Sequence, residues 1–224
     1  MIAIVDYGAG NIRSVQNMLR SIGTRAVIAS TPDEIGAAEK LILPGVGHYG
    51  HGMAGLEERG LIPALNARVM DDRVPLLGIC LGAQLIARRS DESERAGLGW
   101  VEADVVAFDR AQMDQPRQVP HMGWAETWIS EGARQSSAIA DVFARAVLED
   151  ARYYYDHSFH FDCDHPETAV LRAHHGYEFA AGVAQGNVMG FQFHPEKSHR
   201  FGKALLEAFV GWAPGSGGSR KGAA

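Results

Sequence analysis

Short apolar runs alternate with segments of helical spacing from residue 1 to about residue 90. The runs have the length and composition of buried strands. The predicted strands lie at 2–6, 25–29, 40–43 and 75–79. The predicted helices, in which apolar residues recur at the helical period, lie at 11–22, 53–67 and 81–88. Because strands that alternate with helices favour a parallel sheet covered by helices on both faces, we expect an α/β fold.

The pattern changes in the second half of the chain. Strands and turns predominate at 99–155, with one helical candidate at 138–145. Further strands are predicted at 168–174, 177–184 and 187–193, and a closing helix at 201–212. Strands joined by short turns run antiparallel, so we expect an antiparallel strand extension beside a mostly parallel central sheet. The small, polar segment 213–224 predicts a disordered tail, which leaves 1–212 as one domain.

Composition and charge exclude several classes of protein. A chain of 224 residues, 46% of them hydrophobic, can bury one sizeable core, and a formal charge of -6 gives no basic surface for nucleic acid. The two cysteines, Cys80 and Cys163, do not make a disulfide framework, which favours a reducing compartment. The N-terminus lacks the features of a signal peptide, and no apolar stretch reaches the length of a membrane span. We therefore expect a soluble, cytoplasmic protein.

The segment 75–84 carries the strongest candidate for covalent chemistry. A predicted strand leads directly into the sequence Gly-Ile-Cys-Leu-Gly at 78–82, and a predicted helix follows. This order matches a nucleophile elbow, in which flanking glycines allow a sharp turn that presents the central side chain. Cys80 would lie at a helix N-terminus, where the helix dipole favours thiolate, and the Leu81 N–H could face an oxyanion. A buried structural cysteine beside a tight turn is the alternative that this segment alone leaves open.

A histidine and a glutamate follow another predicted strand. The strand at 188–193 ends at His194, and Pro195 and Glu196 come next. Because the proline restricts the backbone, the imidazole and the carboxylate leave the strand in a defined relation. His194 could take the proton of the Cys80 thiol, and Glu196 could orient the imidazole, as in a catalytic triad. His-Pro-Glu alone is more often a surface turn, but together with the cysteine elbow it favours a triad.

Two glycines form a third element of the same candidate site. Gly45 and Gly47 follow the predicted strand 40–43, and their conformational freedom could turn a backbone N–H toward an oxyanion. An ordinary strand-to-helix loop is the alternative. The other histidines form no recognisable ligand set, so no metal site is predicted. The turn at 6–11 lacks the third glycine of a dinucleotide site and the lysine of a P-loop, so we interpret it as structural.

Taken together, these segments resemble the class I, or triad, glutamine amidotransferases. More narrowly, they are similar to the glutaminase subunits of imidazole glycerol phosphate synthases. The matching segments are 6–12, 43–47, 78–84, 120–124, 157–158 and 192–198. The narrower resemblance depends on the sequences at 7–11, 121–124 and 194–198. It implies a class I glutamine amidotransferase-like fold over 1–212.

The resemblance also implies a role for particular residues. Cys80 would be the nucleophile, His194 the general base and then acid, and Glu196 the orienting carboxylate. The oxyanion hole would be framed by Gly47 and Leu81, and glutamine would be held by Gln84, Glu92 and Ser158. The positions facing a partner would be Asn11, Trp124, Tyr154 and Lys197. No cofactor is implied, and the ammonia would pass to a cyclase or synthase subunit with a (β/α)8 barrel in a heterodimer.

Three positions depart from the family pattern without removing a catalytic group. They are Ala83, where methionine is common, Ala125, where asparagine is common, and Asp156, where an apolar residue is usual. Ala83 bears on the shape of the glutamine pocket, and the other two bear on the partner surface. The segments 51–53 and 97–103 look more like paralogues that supply ammonia to a sugar amidotransferase of surface-polysaccharide synthesis, which is an alternative acceptor.

Two further alternatives follow from the sequence, one without enzyme activity and one a different enzyme. An amidotransferase-like binding module without catalysis is disfavoured because the three triad residues are present. A cysteine-dependent hydrolase of another amide is disfavoured by Gln84 and the His-Ser pair at 157–158, which suit glutamine. A glutaminase assay with and without the partner distinguishes these alternatives.

Overall fold

A computed structural model describes residues 1–131, 133, 146–147 and 150–213 of the protein. The strands among these residues form one sheet of eleven strands. The strands are β1 (Ile2–Val5), β2 (Ala26–Ala29), β3 (Lys40–Gly45), β4 (Leu76–Cys80), β5 (Ala103–Ala107), β6 (His121–Ile129), β7 (Arg152–His157), β8 (Phe159–Cys163), β9 (Ala169–His174), β10 (Glu178–Gln185) and β11 (Val188–Phe191). The α-helices are α1 (Ile12–Ser21), α2 (Pro32–Gly36), α3 (Tyr49–Glu58), α4 (Ile62–Asn66), α5 (Leu81–Leu85) and α6 (His199–Gly211).

The sheet has a parallel part and an antiparallel part. The parallel part has the strand order β2-β1-β3-β4-β11. The direction changes at β11, which pairs in parallel with β4 and antiparallel with β10. From β10 the antiparallel part continues through β9 and β6 to β7, while β8 pairs with both β10 and β5. The predicted α/β class with an antiparallel extension is confirmed.

Two apolar layers cover the faces of the parallel part. Strands β1, β4 and β11 are buried along their whole length, as expected of central strands in a sheet with helices on both sides. Helices α1 and α6 contribute Val15, Leu19 and Leu206 to one layer. Helices α3 and α5 contribute Leu56 and Leu81, among others, to the other layer. The carboxyl ends of the parallel strands emerge between these layers, at one edge of the sheet.

The predicted helix 53–67 is two helices, because a glycine interrupts it. α3 ends at Glu58, and Gly60 takes the left-handed conformation with φ 63°. The Leu61 N–H donates to the Leu56 carbonyl at 3.0 Å, which closes the helix as a Schellman motif does. The helical candidate 138–145 and nearly all of the predicted tail lie outside the described residues. No described helix combines the length and apolar character that crossing a membrane requires.

The ends of β3 lie at opposite edges of the sheet and have different environments. At its start, the Lys40 Nζ donates hydrogen bonds to the carbonyls of Phe209, Val210 and Trp212, at the C-terminal end of α6. At its end, Gly45 pairs with Cys80 of β4. β3 therefore connects the end of the last helix to the sheet edge that carries the candidate site.

Candidate active site

Cys80 stands at a strained turn between a strand and a helix. It ends β4 and caps α5, with φ 52° and ψ −112°. A Cβ on Gly82 would lie 1.8 Å from the Leu43 carbonyl oxygen. A Cβ on Gly78 would lie 2.6 Å from the Ala83 Cα. Both glycines are therefore required by close backbone packing, and the turn presents the thiol at the carboxyl end of the parallel strands.

His194 and Glu196 follow β11, the strand beside β4. The parallel register pairs Phe191 with Ile79, so the residues after both strands emerge at the same edge of the sheet. The His194 Nδ1 lies 2.8 Å from the Glu196 Oε1, and each side chain is 2% exposed. Because the carboxylate accepts from Nδ1, the other ring nitrogen is left for the hydrogen bond with Cys80. The structure thus brings the three predicted triad residues together.

The environment of His194 favours its charged form. Burial lowers the pKa of His194, but hydrogen bonds with Cys80 and Glu196 and the negative charges of both groups raise it overall to about 10. The second carboxylate oxygen of Glu196 is buried and has no hydrogen-bond partner among the described residues. The arrangement is suited to a thiolate beside an imidazolium that a buried carboxylate stabilises.

A cavity of about 220 Å³ opens beside the Cys80 thiol and His194. Its lining includes all five residues predicted for the oxyanion hole and for glutamine, which are Gly47, Leu81, Gln84, Glu92 and Ser158. It also includes Val46, Pro120 and Phe159, to which the sequence assigned no role. Asp156, which the sequence associated with the partner surface, and His157, which it associated with glutamine, line the cavity as well. The five predicted residues come from four separate parts of the fold, because Leu81 and Gln84 both lie on α5, so the cavity is a product of tertiary packing.

Two of the lining residues, Gly47 and Leu81, are the positions predicted to supply backbone N–H groups to an oxyanion. Gly47 has φ 107°, a left-handed conformation that favours glycine, and a Cβ there would meet no atom within 4 Å. Leu81 is the first residue of α5, where N–H groups have no partner inside the helix. The conformation of Gly47, and not the space around it, therefore explains the glycine at this position.

The polar residues of the cavity are held by contacts outside it. The Tyr49 N–H donates to the Glu92 Oε2 at 2.7 Å, which fixes this carboxylate at the start of α3. The Gln84 Nε2 donates to the Gln192 Oε1 at 3.1 Å, and the Gln192 Nε2 lies 3.9 Å from the Cys80 sulfur. The sequence placed Gln192 in a matching segment but gave it no role. Its signal is a polar residue inside a predicted buried strand.

His157 lines the cavity and forms a pair of neutral histidines with His121. The His157 Nδ1 lies 2.7 Å from the Phe159 carbonyl, to which it donates, so its Nε2 accepts from the His121 Nδ1 at 3.0 Å. Burial lowers the pKa of His157 well below its usual range, and burial with the nearby His175 and Arg117 lowers the pKa of His121 to about 3. The histidine pair therefore adds no positive charge to the cavity.

Three of the predicted partner-facing residues form one surface cluster, which we call the Trp124 surface: Trp124, Tyr154, Lys197 and the neighbouring His199. The Lys197 Nζ lies 5.3 Å from the centre of the Tyr154 ring, and Trp124 stacks on His199 at 5.5 Å. Trp124 is 48% exposed although it is a large apolar residue. Asn11 instead caps α1, where its side chain accepts from the Ser14 N–H at 3.3 Å.

The Trp124 surface is connected directly to the backbone of His194. The His194 N–H donates to the Tyr154 carbonyl at 2.9 Å. The Ser198 hydroxyl donates to the His194 carbonyl at 2.6 Å and accepts from the Tyr154 N–H at 3.0 Å. Since Ser198 is fully buried, these bonds hold β7 and the turn after β11 as one unit.

Neither a candidate metal site nor a disulfide bond is found among the described residues. Within the described ranges, no group of histidine, cysteine and carboxylate side chains could hold a metal ion. Cys80 and Cys163 are both unpaired. Burial, with Asp162 and Asp164 as smaller contributions, raises the pKa of Cys163 to about 12, although Arg172 acts in the opposite direction. Cys163 is therefore a poor nucleophile compared with Cys80.

Comparison with known proteins agrees with this geometry. A family described as "Glutamine amidotransferase class-I" matches residues 3–211. Among solved structures, the chain is similar to that of PurLQS from Thermotoga maritima, with a TM-score of 0.70, 21% identity, and coverage of 93% of this chain and 96% of that one. The chain belongs to the class I glutamine amidotransferase family.

Within this family, the similar curated proteins share one name. The chain is 42% identical over 210 residues to "Imidazole glycerol phosphate synthase subunit HisH 2" of Pseudomonas aeruginosa, with coverage of 94% of this chain and 98% of that protein. It is 43% identical over 209 residues to "Imidazole glycerol phosphate synthase subunit HisH" of Bdellovibrio bacteriovorus, with coverage of 93% and 98%. The resemblance derived from the sequence is thus confirmed at both levels.

Proposed function

We propose that this chain is the glutaminase subunit of an imidazole glycerol phosphate synthase in histidine biosynthesis. It hydrolyses glutamine to glutamate and ammonia, and it passes the ammonia to a cyclase subunit. The observation that carries the chemistry is the buried hydrogen bond between His194 and Glu196, 2.8 Å long, in the same cavity as Cys80. The similarity to the two relatives named as synthase subunits supports the choice of pathway.

The first half of the reaction forms a thioester and releases ammonia. The Cys80 thiolate attacks the side-chain amide carbon of glutamine, and the carbonyl oxygen becomes an oxyanion. N–H groups at Gly47 and Leu81 stabilise that charge. The protonated His194 then gives its proton to the departing nitrogen, which leaves as ammonia, and a γ-glutamyl thioester remains on Cys80.

The second half of the reaction regenerates the thiolate. His194 is now neutral and takes a proton from a water molecule as that water attacks the thioester carbonyl. The same N–H groups stabilise the second oxyanion, and collapse of this intermediate expels the Cys80 thiolate with glutamate as product. Glu196 remains ionised and stabilises the imidazolium in both halves.

The glutamine-binding roles follow from charge and position in the cavity. The Glu92 carboxylate has the charge required for the α-ammonium group of glutamine, and its contact with the Tyr49 N–H keeps it in place. Ser158 offers a hydroxyl and a backbone N–H to the α-carboxylate. Gln84 acts through Gln192, which it holds near the Cys80 sulfur.

The partner surface lies next to the mouth of the cavity. In the β6–β7 register, Met122 pairs with Asp156 and Trp124 pairs with Tyr154. Met122 is 63% exposed, and Asp156 lines the cavity itself. Exposed apolar side chains beside a catalytic cavity fit a site where a partner covers the cavity and receives ammonia. The partner is a (β/α)8-barrel cyclase, and both subunits are cytoplasmic, where a catalytic thiol stays reduced.

Partner binding also offers a means of regulation. Gly45 and Gly47 allow the segment between them to hold its N–H groups in two orientations, so the isolated chain is expected to hydrolyse glutamine slowly. A bound cyclase that favours the productive orientation raises turnover by shifting the population. This coupling prevents glutamine from being consumed without an acceptor for ammonia.

The direct test is co-purification of the chain with the cyclase of the same host. We expect a one-to-one complex, stimulated glutamine hydrolysis and glutamine-dependent formation of imidazole glycerol phosphate. A sugar amidotransferase from the same host serves as the comparison, because it is the alternative acceptor. If that enzyme binds and stimulates the chain while the cyclase does neither, the proposed pathway is wrong and the alternative is right.

A further inference from the structure

Tyr7 has a buried hydroxyl group that lies next to the oxyanion segment. The residue is 2% exposed, and its hydroxyl has no hydrogen-bond partner among the described residues. A Cβ on Gly45 would lie 2.4 Å from the Tyr7 oxygen, so the hydroxyl rests against the Gly45 α-carbon. A buried hydroxyl without a partner is costly, and its retention requires an explanation.

The backbone around Tyr7 keeps the hydroxyl in this position. A Cβ on Gly55 would lie 2.4 Å from the Tyr7 carbonyl oxygen, so α3 packs directly on this turn. Gly10, with φ 103°, also packs closely on Gly45, since a Cβ there would lie 3.1 Å from the Gly45 nitrogen. The phenol is therefore fixed between a helix and the last residue of β3.

We propose that Tyr7 is a positioning residue for the oxyanion hole. When the peptide between Gly45 and Val46 rotates so that the Val46 N–H turns toward the cavity, beside the N–H of Gly47, the Gly45 carbonyl turns away from the cavity and accepts a hydrogen bond from the Tyr7 hydroxyl. The hydroxyl thus stabilises the productive conformation and contributes nothing to the resting one. The inference rests on the proposed glutaminase activity. It gives a role in catalysis to Tyr7, which the sequence alone identified only as part of a structural turn.

The Tyr7 hydroxyl can donate a hydrogen bond at every stage of the reaction. Burial and the charge of Cys80 raise the pKa of Tyr7, so the hydroxyl keeps its proton throughout the reaction. Gly45 also pairs with Cys80 in the β3–β4 register, so a contact at Gly45 acts beside the nucleophile without touching it. One neutral hydrogen bond changes the ratio of two conformations by about threefold to tenfold.

The test compares Tyr7→Phe with wild type in the isolated chain and in the cyclase complex. We expect kcat for glutamine hydrolysis to fall about threefold to tenfold in the isolated chain and by a smaller factor in the complex, where the cyclase already favours the productive conformation, with KM within about twofold of wild type in both. Thermal stability should be equal or higher, because the variant removes an unsatisfied hydroxyl. Alkylation of Cys80 by iodoacetamide should be unchanged, since displacement at a saturated carbon forms no oxyanion.

Tyr153→Phe is the matched control. Its hydroxyl is also buried without a described partner, but the ring stacks on Phe193 at 4.1 Å in the other apolar layer. The control should keep the wild-type kcat. Equal kcat in Tyr7→Phe and wild type would overturn the proposal, as would the same loss in the control. A joint fall of stability, alkylation rate and kcat in Tyr7→Phe would show a merely structural role and would also overturn it.

The same measurements separate this proposal from the proposed function. If wild type hydrolyses no glutamine in either state, both proposals are wrong. If wild type is active but the cyclase does not stimulate it, only the choice of partner is wrong, and the comparison in the isolated chain still decides the role of Tyr7.

Discussion

Replacing Glu196 by glutamine isolates the contribution of one negative charge to the triad. The two side chains are nearly isosteric, and the amide oxygen can still accept from the His194 Nδ1 over the observed 2.8 Å. A hydrogen bond to a charged group contributes about 1.5–3 kcal/mol and a neutral one about 0.5–1.5 kcal/mol. The substitution therefore costs about 1–2 kcal/mol in the transition state, which lowers kcat roughly 5-fold to 30-fold.

Two further variants allow the loss of kcat in Glu196→Gln to be compared with larger losses. Glu196→Ala removes the whole hydrogen bond from a site where both side chains are 2% exposed, so about 3 kcal/mol, or roughly 150-fold, is expected. His194→Ala removes the group that moves protons, and we expect a loss on the order of 10⁴-fold. The predicted order of activity is wild type, Glu196→Gln, Glu196→Ala and then His194→Ala.

The pH dependence of the reaction tests the effect of the Glu196 charge on His194 independently of the loss of kcat. Hydrogen bonds and charge from Cys80 and Glu196 together hold the pKa of His194 at about 10 despite its burial. Removal of the Glu196 charge lowers that pKa, so His194 loses its proton at a lower pH. Because ammonia release needs the protonated imidazole, the alkaline limb of kcat/KM should shift toward lower pH in Glu196→Gln.

A coupled assay of glutamate formation in the purified cyclase complex, run from pH 6 to 10, measures both the loss of kcat and the shift of the alkaline limb. Glu57→Gln is the control, since Glu57 forms an exposed ion pair with Arg95 and such pairs contribute little. Rates within twofold of wild type for both Glu196 variants, with an unshifted alkaline limb, would falsify the triad assignment.

Three further predictions concern the nucleophile, acid stability and the partner surface. Cys80→Ala should retain the wild-type unfolding temperature but release no ammonia, and measurable turnover in this variant would remove Cys80 from the mechanism. His121 and His157 are buried with lowered pKa values, so below about pH 6.5 these two residues take up protons in the unfolded chain before they do so in the folded chain. Their contribution to the free energy of unfolding is therefore fully present above that pH and falls below it by up to about 1.4 kcal/mol per pH unit for each residue. Urea unfolding at pH 7 and pH 5 should show this loss, and His121→Gln should reduce it; an equal loss in that variant would refute the assignment. Trp124→Ala should weaken cyclase binding by about 2 kcal/mol, or roughly 30-fold in Kd, with no change in the basal rate; calorimetry that finds wild-type affinity would exclude Trp124 from the interface.

The local geometry of the site could be predicted from short stretches of sequence. A sharp turn at Cys80 follows from the glycines at 78 and 82, and the structure shows the close packing that demands them. The relation of His194 to Glu196 is also local, because a single proline separates them. Both of these geometric predictions depend on only a few neighbouring residues, which is why the structure shows the turn and the contact that they require.

The parts that depend on long-range packing could not be derived from local patterns. No periodicity indicates that β11 joins the sheet beside β4, although this pairing brings His194 to Cys80. The break at Gly60 was missed because apolar spacing continues on both sides of it. Gln192 and Tyr7 lie in segments that look like ordinary strand and turn, and only their burial and neighbours reveal a specific environment.

The hydrogen bonds of Lys40 also limit how this enzyme can be joined to another on one polypeptide. The end of α6 is held at the first residue of β3, whereas the last residue of that six-residue strand lies at the catalytic edge. The two edges are therefore separated by roughly 20 Å. A synthase fused after Trp212 would emerge on the side away from the Trp124 surface. Its linker would have to run back along the sheet with at least about six extended residues, a requirement that two separate subunits do not face.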